Sequence, residues 1–491
     1  MKRICLLLFV TFIVIGCSVS KIQTEELIIE SPVVDSVAID TISIHPVVFT
    51  EHLGESEITV ATPVKWNGKL LILAHGLRPV ESELSSFFST DDPFYSKLIE
   101  NGWLIGSTSY RRNGVILNEA IEDIESLRKY LVERFGNPAE TYLLGTSMGA
   151  SICTLIAEYP DLPYTAVLAI GLPQISFLRN NGLDYSYEPK IPILFISNRS
   201  EVEAPTEYFS KSNQSEKKPA FWTIDRDGHC LVNSAEITQA FKALLYYVEI
   251  NEIEFERDGT IEISHAKSMA EFKDGKAIAE VLAIHPSYGN FNTTFTTDDL
   301  EKLGIAKNTY FQVGCRDRFF RIYYGTTYSD VAQGFWIAFA GAEGTLRIAR
   351  NFANAAQSLR CHTGDNIYIK ALPESERNIQ PYIIPGTEVV DLGILAWNQL
   401  LERDVLASIE TSQKALQLDP DMLWIKMNLA HAYLVANRYD DAVKIYRQNI
   451  GKHVFKESFY FEDMVLEDLD KLEDKGLNII HFDKIREIMR K

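Results

Sequence analysis

Gly145-Thr146-Ser147-Met148-Gly149 is the stretch that decides the fold of the first half of the chain. It lies between an apolar strand-like run over residues 141–144 and an apolar helix-like run over residues 150–157. A serine at the centre of G-x-S-x-G, on a sharp turn from a strand into a helix, has a strained backbone that exposes its hydroxyl group. Glycines flank it because side chains there would crowd the turn. The pattern predicts that Ser147 is a nucleophile.

A second motif lies upstream, at the end of another apolar run. Residues 69–74 have the composition of a buried parallel strand, and His75-Gly76-Leu77 follows them. When a serine attacks a carbonyl group, negative charge develops on the oxygen, and fixed backbone N–H groups stabilise it. The residue after the nucleophile and the loop after the upstream strand supply such groups. We therefore expect an oxyanion hole made by the amides of Leu77 and Met148, with His75 shaping the loop.

The base and the acid of such a site are expected downstream. Residues 221–224 form a last strand-like run, and His229 lies in the loop after it. Residues 191–196 form the preceding run, and the loop after them carries two glutamates, Glu201 and Glu203. An imidazole takes the proton of the serine hydroxyl, and a carboxylate orients the imidazole. We expect His229 to be the base and one of the two glutamates to be the acid.

The order of nucleophile, acid and histidine resembles that of α/β-hydrolases, which have a mostly parallel sheet with helices on both faces. That family accepts Asp or Glu as the acid. Its acid often stands in an Asp-x-x-Val-Pro motif, and alignment on Pro205 places the acid at Glu201. Glu203 is the alternative. A glutamate in a surface loop is usually only solvated, and we expect this of one of the two residues.

A closer similarity over residues 45–250 looks like a subgroup of secreted bacterial α/β-hydrolases. It is carried by Trp66-Asn67-Gly68, His75-Gly76, Ser147-Met148-Gly149 and Gly228-His229-Cys230. The resemblance implies an esterase or peptidase-like serine hydrolase, which attacks the ester, thioester or amide carbonyl of a small acyl or peptide substrate and needs no cofactor or metal. Residues 171–189 are either a small lid over the acyl pocket or a connection with a few packed aromatic residues.

The N-terminus predicts export. A charged start precedes an apolar run over residues 4–15, which is shorter than the roughly 20 residues of a membrane-spanning helix. Val14-Ile15-Gly16-Cys17 resembles a bacterial lipobox, which implies lipidation of Cys17. Residues 1–17 are then a lipoprotein signal peptide and residues 18–40 a tether. The expected location is the bacterial cell envelope, lipid-anchored on the periplasmic side or at the surface.

The composition of the chain limits the number of domains and the classes of molecule that the protein is expected to bind. The 491 residues are enough for two to four domains. The 67 acidic and 48 basic residues give a net charge of −19, which argues against binding to nucleic acid or to anionic lipid. The six cysteines include no C-x-x-C pair, so neither a metal site nor a disulfide framework is indicated. A single disulfide bond is compatible with an oxidising compartment, but its partners do not follow from the sequence.

From Glu252 onward, short β-like runs separated by turns predict an all-β domain over residues 251–375, beginning with residues 253–256 and 260–263. Three stretches in this region resemble motifs of the C-terminal β-barrel of S-adenosylmethionine hydroxide adenosyltransferases. They are Tyr288-Gly289-Asn290, Thr327-Tyr328-Ser329-Asp330 and residues 344–356. The resemblance implies a small barrel. In that family the barrel meets a neighbouring subunit, which makes a homo-oligomer plausible.

The same barrel contributes adenine contacts in that family. The resemblance therefore implies an adenosyl-binding surface at Asn290, Phe352 and Asn354. The alternative is that these residues only preserve the turns of a barrel without a ligand. The family's catalytic residues lie in an N-terminal domain whose place the hydrolase takes here, which argues against adenosyl transfer by this chain alone.

Residues 376–388 contain Pro381 and Pro385 and have the composition of a linker, and residues 389–491 have a helical pattern. The spacing from Leu429-Ala430 to Ala442 and Tyr446 matches tetratricopeptide repeats, and a shift of 34 residues reaches Leu395-Ala396. This predicts two repeats, the first of them degenerate, with capping helices after them. The repeats form either a groove for a protein partner or a bundle that caps the barrel.

The expected fold class is thus multidomain: an α/β-hydrolase over residues 41–250, then a small β-barrel, then a tetratricopeptide-like helical tail. The expected function is that of a membrane-anchored serine hydrolase. The alternative is a non-catalytic binding or scaffold lipoprotein that uses the barrel and the helical tail.

Overall fold

The structure is a computed structural model, and it describes residues 46–80, 82–262, 267–286, 288–342, 344–379, 388–477 and 481–490. The predicted signal peptide, the lipidation candidate Cys17 and the tether lie outside the described residues. Residues 380–387, the proline-containing part of the predicted linker, lie outside them as well. In the described part of the chain, no helix is long and apolar enough to cross a membrane.

A nine-stranded sheet forms the first region. Its strands are β1 Val47–Leu53, β2 Ser56–Thr62, β3 Lys69–Ala74, β4 Leu104–Thr108, β5 Glu140–Thr146, β6 Ala166–Ile170, β7 Ile193–Asn198, β8 Ala220–Ile224 and β9 Glu256–Asp258. They lie in the order β1-β2-β4-β3-β5-β6-β7-β8-β9. The pairs β1–β2 and β2–β4 are antiparallel, and every pair from β4 to β9 is parallel.

Helices cover both faces of this sheet. They are α1 Pro93–Glu100, α2 Asn118–Phe135, α3 Met148–Glu158, α4 Ile175–Asn180, α5 Glu203–Lys211 and α6 Ser234–Ile250. Along β3, Leu70 and Ile72 pack in the core on the side of α2 and α3, and Leu71 packs in the core on the side of α1 and α6. Burial on both faces explains why the parallel strands are continuous apolar runs. The α/β-hydrolase fold class is confirmed.

Residues 171–189 contain α4 and pack into the main core. The side chains of Leu178 and Tyr185 are buried, and the Tyr185 ring lies 5.2 Å from the ring of Tyr208 in α5. These contacts match a packed connection, which was one of the two alternatives for this segment.

The ninth strand corrects two expectations. Residues 253–256 were expected to begin the barrel and residues 221–224 to be the last strand of the hydrolase, and both expectations are wrong. β9 pairs in parallel with β8, and the Trp222 indole donates a hydrogen bond of 2.7 Å to the carbonyl oxygen of Glu254. A strand of three residues has too little pattern to distinguish a sheet edge from a barrel, and pairing with the open edge of β8 decides its place.

The second region is a closed barrel. Its strands are β11 Lys276–Ile284, β12 Phe291–Thr296, β13 Tyr310–Cys315, β14 Arg318–Tyr324, β15 Trp336–Ala340, β16 Thr345–Arg350 and β17 Asn366–Ala371, with β10 Glu271–Lys273 paired outside β11. Pairing of β11 with β17 closes the ring, so its seven strands leave no open edge. The short helices α7 Thr297–Lys302 and α8 Ala355–Leu359 complete the region.

One disulfide bond joins Cys315, at the end of β13, to Cys361, after α8. Of the other cysteines that the structure describes, Cys153 and Cys230 are free thiols. The sequence left this pairing open because the two residues are 46 positions apart and only barrel closure brings them together.

The third region is helical. It contains α9 Glu388–Leu401, α10 Val405–Leu418, α11 Leu423–Val435, α12 Tyr439–Asn449, α13 Phe461–Asp474 and α14 Phe482–Met489, with a short hairpin of β18 His453–Val454 and β19 Phe459–Tyr460. The first four helices are two consecutive pairs. Ala396 and Ala430, the residues in register between the predicted repeats, are both fully buried. This agrees with the predicted repeats.

The helical tail docks on the barrel through charged residues. Arg318 in β14 is buried and forms ion pairs with Glu462, at 3.6 Å, and with Asp463, both in α13. Its guanidinium also lies 3.8 Å from the centre of the Tyr460 ring. Arg350 in β16 is equally buried and lies 3.3 Å from Glu467. These contacts match the alternative in which the tail caps the barrel.

We expect Arg318→Met to destabilise the protein by about 3–5 kcal/mol, because it leaves the buried Glu462 carboxylate without its cation. Arg316→Met is the matched control. Arg316 is two residues away and pairs with Asp365, but its side chain is 56% exposed, so a much smaller loss is expected. Urea unfolding measures both variants, and equal losses would contradict this account of the junction.

Candidate active site

Ser147 occupies the turn between β5 and α3, with φ 54° and ψ −124°. A residue other than glycine adopts this backbone region only under strain. The neighbouring glycines are required by close packing: a Cβ at Gly145 would lie 2.2 Å from the carbonyl oxygen of Gly149, and a Cβ at Gly149 would lie 2.0 Å from that of Ala74. The beginning of α3 is thus pressed against the end of β3, which holds Ser147 at the carboxyl edge of the sheet.

Three predicted residues form one hydrogen-bonded series. The Oγ of Ser147 lies 2.8 Å from Nε2 of His229, and Nδ1 of His229 contacts Oε2 of Glu201. The other oxygen of Glu201 accepts hydrogen bonds from the amides of Cys230, at 3.0 Å, and Asn198, at 3.3 Å. Two backbone amides therefore hold the carboxylate through the oxygen that does not contact the imidazole.

Glu203, the competing acid, is not part of this series. It begins α5, its side chain is exposed, and its contact with the Gln174 amide is 3.4 Å long. The structure thus brings Glu201, rather than Glu203, to His229. The His229 side chain is 39% exposed and that of Glu201 13%, so the imidazole is open to solvent while the acid is shielded.

Both predicted oxyanion residues lie beside the serine. Met148 is the first residue of α3, where backbone N–H groups have no partner within the helix. Leu77 follows Gly76, at which a Cβ would lie only 3.1 Å from the Cβ of Ser147. The two amides therefore belong to the two segments that flank the nucleophile.

His75 is held within its loop. Its Nδ1 lies 2.7 Å from the carbonyl oxygen of Gly76, and its Nε2 lies 3.0 Å from that of Ser109. Its ring packs against Tyr110 at 4.1 Å. Desolvation, with a further contribution from Arg78, lowers the pKa of His75 to about 3, so the ring is neutral at physiological pH. These contacts match the interpretation that His75 shapes the loop.

The candidate adenosyl residues are engaged in turns. Asn290 is buried and donates a hydrogen bond of 2.8 Å to the hydroxyl of Tyr328. Asn354 accepts one of 2.9 Å from the amide of Gln357 and caps α8, while its side chain fills the space beside Gly289. Phe352 is exposed. These contacts explain the motif as turn structure, and a ligand role for the three residues stays a prediction.

One feature of the site was not foreseen: Cys230, whose sulfur lies 3.7 Å from Nε2 of His229. The barrel also contacts this region, since Leu231, two residues after the histidine, packs in one apolar cluster with Ile337 and Phe339 of β15. Cys230 is adjacent to His229 in sequence, which is a signal in itself. The contact of Leu231 with the barrel has no sequence signal.

Among the described residues, two groups of side chains offer metal-type ligand atoms within 4.8 Å of one another. Glu201, His229 and Cys230 form one, and its nitrogen and oxygen atoms already serve the hydrogen bonds to Ser147 and within the series. The other is Cys315, Cys361 and Asp365, whose sulfurs are joined in the disulfide bond. Neither group is a preformed metal centre, and the expectation that no metal is needed stays a prediction.

Comparison with known proteins divides the chain. Residues 279–368 match the family model of the SAM hydroxide adenosyltransferase C-terminal domain, and residues 400–448 match that of the tetratricopeptide repeat. The two resemblances expected for the barrel and the tail are confirmed. No curated protein matches the sequence significantly.

Solved structures show only slight similarity. An uncharacterised conserved protein of Thermotoga maritima is 23% identical, over 26% of this chain and 48% of that protein, with a TM-score of 0.20. An acylaminoacyl peptidase of Pyrococcus horikoshii is 12% identical, over 42% of this chain and 41% of that protein, with a TM-score of 0.34. An esterase of Pyrococcus furiosus is 16% identical, over 41% of this chain and 90% of that protein, with a TM-score of 0.33. The chain thus spans less than half the length of the first two.

Cys230 and the Glu201 carboxylate raise the pKa of His229 well above its ordinary value of 6.5, against the opposing effect of desolvation. Because the folded-state pKa is raised, the protonated ring stabilises the protein fully below the unfolded pKa, and this stabilisation is lost as the pH rises through the folded pKa.

We expect Cys230→Ala to lower the pKa of His229. Histidine NMR titration measures it, with the exposed His362 as internal control. An unchanged pKa of His229 would refute the role of the sulfur.

Proposed function

We propose that the chain is a serine hydrolase that cleaves an ester, thioester or amide through an acyl-enzyme on Ser147. The observation that carries the proposal is the hydrogen-bonded series of Ser147, His229 and Glu201, set on a strained turn. A turn that costs free energy is retained where its geometry is used. The same residue types in the same order serve acyl transfer on this fold.

The reaction begins with proton transfer. As the Oγ of Ser147 attacks the substrate carbonyl carbon, Nε2 of His229 takes the hydroxyl proton; this step needs the neutral imidazole, so activity is expected to rise as the pH rises through the raised pKa of His229. Nδ1–H of His229 donates to Glu201, which fixes the tautomer and stabilises the imidazolium. The amides of Leu77 and Met148 stabilise the negative oxygen of the tetrahedral intermediate.

The intermediate collapses when the bond to the leaving group breaks, and His229 returns its proton to that group. An acyl ester on Ser147 remains. A water molecule then attacks the ester carbonyl while His229 takes its proton, and collapse of the second intermediate releases the acid and restores the Ser147 hydroxyl. The exposed imidazole is accessible to this water.

We further propose that this activity is lipid-anchored in the bacterial cell envelope. The support is the lipobox-like Val14-Ile15-Gly16-Cys17 alone. A protein partner at the helical tail belongs to the same proposal and is supported by the repeat match over residues 400–448. A homo-oligomer is an additional expectation from the barrel resemblance.

Labelling with a neutral fluorophosphonate probe tests the activated serine. We expect the full chain to be labelled and Ser147→Ala to remain unlabelled, because the probe reacts with a serine that a neighbouring base has activated. In-gel fluorescence and the mass of the modified peptide measure the result. A folded wild type without label would overturn the hydrolase proposal and favour the binding or scaffold alternative.

Replacement of each glutamate identifies the acid. We expect Glu201→Gln to lower kcat/KM for a short p-nitrophenyl ester by roughly 10²- to 10⁴-fold, because the amide no longer orients and stabilises the imidazolium. Glu203→Gln is the control, and its kcat/KM should stay within about threefold of the wild type, since it is a surface change. The assignment of Glu201 fails if Glu203→Gln causes the larger loss.

A further inference from the structure

Arg78 is a buried cation directly after the candidate oxyanion residue Leu77. Its side chain is only 4% exposed. Its guanidinium donates to the backbone carbonyl of Ser85 and to the hydroxyl of Tyr288, while its Nε has no hydrogen-bond partner among the described residues. No described carboxylate lies within ion-pair distance of it. The full transfer of a guanidinium from water without a counter-charge is strongly unfavourable, so this arrangement needs an explanation.

The other buried arginines of the described chain provide the comparison. Arg318, Arg321 and Arg350 are each at most 5% exposed, as is Arg78. Each of these three has a carboxylate partner: Arg318 pairs with Glu462 and Asp463, Arg321 lies 2.7 Å from Glu376, and Arg350 lies 3.3 Å from Glu467. In this group, Arg78 alone is without one.

The groups around Arg78 are uncharged. It acts electrostatically on His75 and Tyr110 of the hydrolase and on His285 and Tyr288 of the barrel. Desolvation lowers the pKa of His75 to about 3 and that of His285 to about 4, and it raises the pKa values of both tyrosines, so all four are neutral near pH 7.

The carboxylate that acts on Tyr110, that of Asp123, does not serve Arg78. Asp123 is held by Arg111 in an ion pair of 2.7 Å. The Arg111 side chain donates two hydrogen bonds to Oδ1 of Asp123, and the Arg111 backbone amide donates one to Oδ2, so both carboxylate oxygens are engaged. Among the described residues, Arg78 therefore has no carboxylate to neutralise it.

A second cation faces the same place from the barrel. Arg347 in β16 is half-buried, acts on His285 together with Arg78, and has no ion pair with any described carboxylate. The junction between hydrolase and barrel thus carries two unneutralised arginines in a chain whose net charge is −19. Two cations of this kind in a low-dielectric junction attract an anion far more strongly than surface arginines do.

The junction also adjoins the catalytic candidates. Arg78 follows Leu77 directly in the loop beside Ser147, and both Arg78 and Cys230 act electrostatically on Tyr288. Tyr288 therefore links the oxyanion side of the site to the histidine side. Tyr288 and His285, which lie on the barrel side, are both partly exposed.

We propose that Arg78 binds an anionic group of the substrate, a carboxylate or a phosphate, at the junction of hydrolase and barrel, with Arg347 as the second positive charge. The inference rests on the proposed hydrolase function and deepens it, since it defines the substrate class as esters or amides that carry an oxyanion. A guanidinium fork matches both of these groups. Arg78 is thus a specificity-determining residue.

The test compares matched esters. In the first pair, mono-p-nitrophenyl glutarate and p-nitrophenyl valerate have acyl groups of the same length, and only the glutarate carries a carboxylate. In the second pair, 4-acetoxybenzoate carries a carboxylate on its leaving group, and phenyl acetate is its neutral partner. We expect Arg78→Met to lower kcat/KM for one of the anionic esters roughly 10- to 100-fold more than for its neutral partner, the usual range for a charged hydrogen bond. Arg78→Lys, which keeps the charge without the fork, should retain part of the preference.

Two control variants separate this role from others. Arg112→Met removes an exposed arginine of the neighbouring loop and should leave the ratio of anionic to neutral ester unchanged. Glu81→Gln replaces an acidic residue that is close in sequence and lies outside the described residues. An anion preference that appears only in Glu81→Gln would show that Glu81 neutralises Arg78 and would overturn the inference.

The inference and the hydrolase function fail separately. Equal effects of Arg78→Met on anionic and neutral esters, in a chain that fluorophosphonate still labels, would overturn the role of Arg78 alone. If no turnover occurs, calorimetry of Ser147→Ala with and without Arg78→Met still tests binding. Glutarate and inorganic phosphate are the probes and distinguish the two anions, and binding of neither would overturn the inference.

Discussion

The packing of the first turn of α3 against the end of β3 is the constraint on which the candidate site depends. No Cβ fits between Gly149 and the carbonyl oxygen of Ala74, so strand and helix meet backbone to backbone. This contact forces the strained conformation of Ser147 and brings the loop after β3 to the same place. The nucleophile and both amides proposed for the oxyanion hole are therefore positioned by one close approach of main chain.

The parallel sheet then does the remaining positioning. β7 and β8 are neighbours, so the loops after them meet at the carboxyl edge, and these loops carry Glu201 and His229. Backbone amides hold the Glu201 carboxylate, which makes its orientation independent of flexible side chains. Fixed donors of this kind do not need to reorganise during a reaction, which is their advantage over water.

The barrel and the tail extend this arrangement by two different kinds of junction. Between barrel and tail, buried arginines meet carboxylates, and the charges compensate one another inside the protein. Between hydrolase and barrel, apolar contacts around Leu231 lie beside a polar zone in which positive charge is not compensated by described residues. Burial of a charge without a partner is costly, whereas the paired charges of the other junction offset much of that cost.

The sequence by itself determined the elbow at Ser147, the order of serine, glutamate and histidine, the identity of the barrel and the repeats of the tail. These features are local patterns of residue type and spacing, and local patterns are what a sequence displays directly. Only the tertiary structure decided that Glu201 rather than Glu203 reaches His229, that Cys315 pairs with Cys361, and that β9 joins the first sheet. It alone placed Arg78 against the barrel, because burial and charge compensation depend on which distant segments meet, and the chain must be folded before those segments have neighbours.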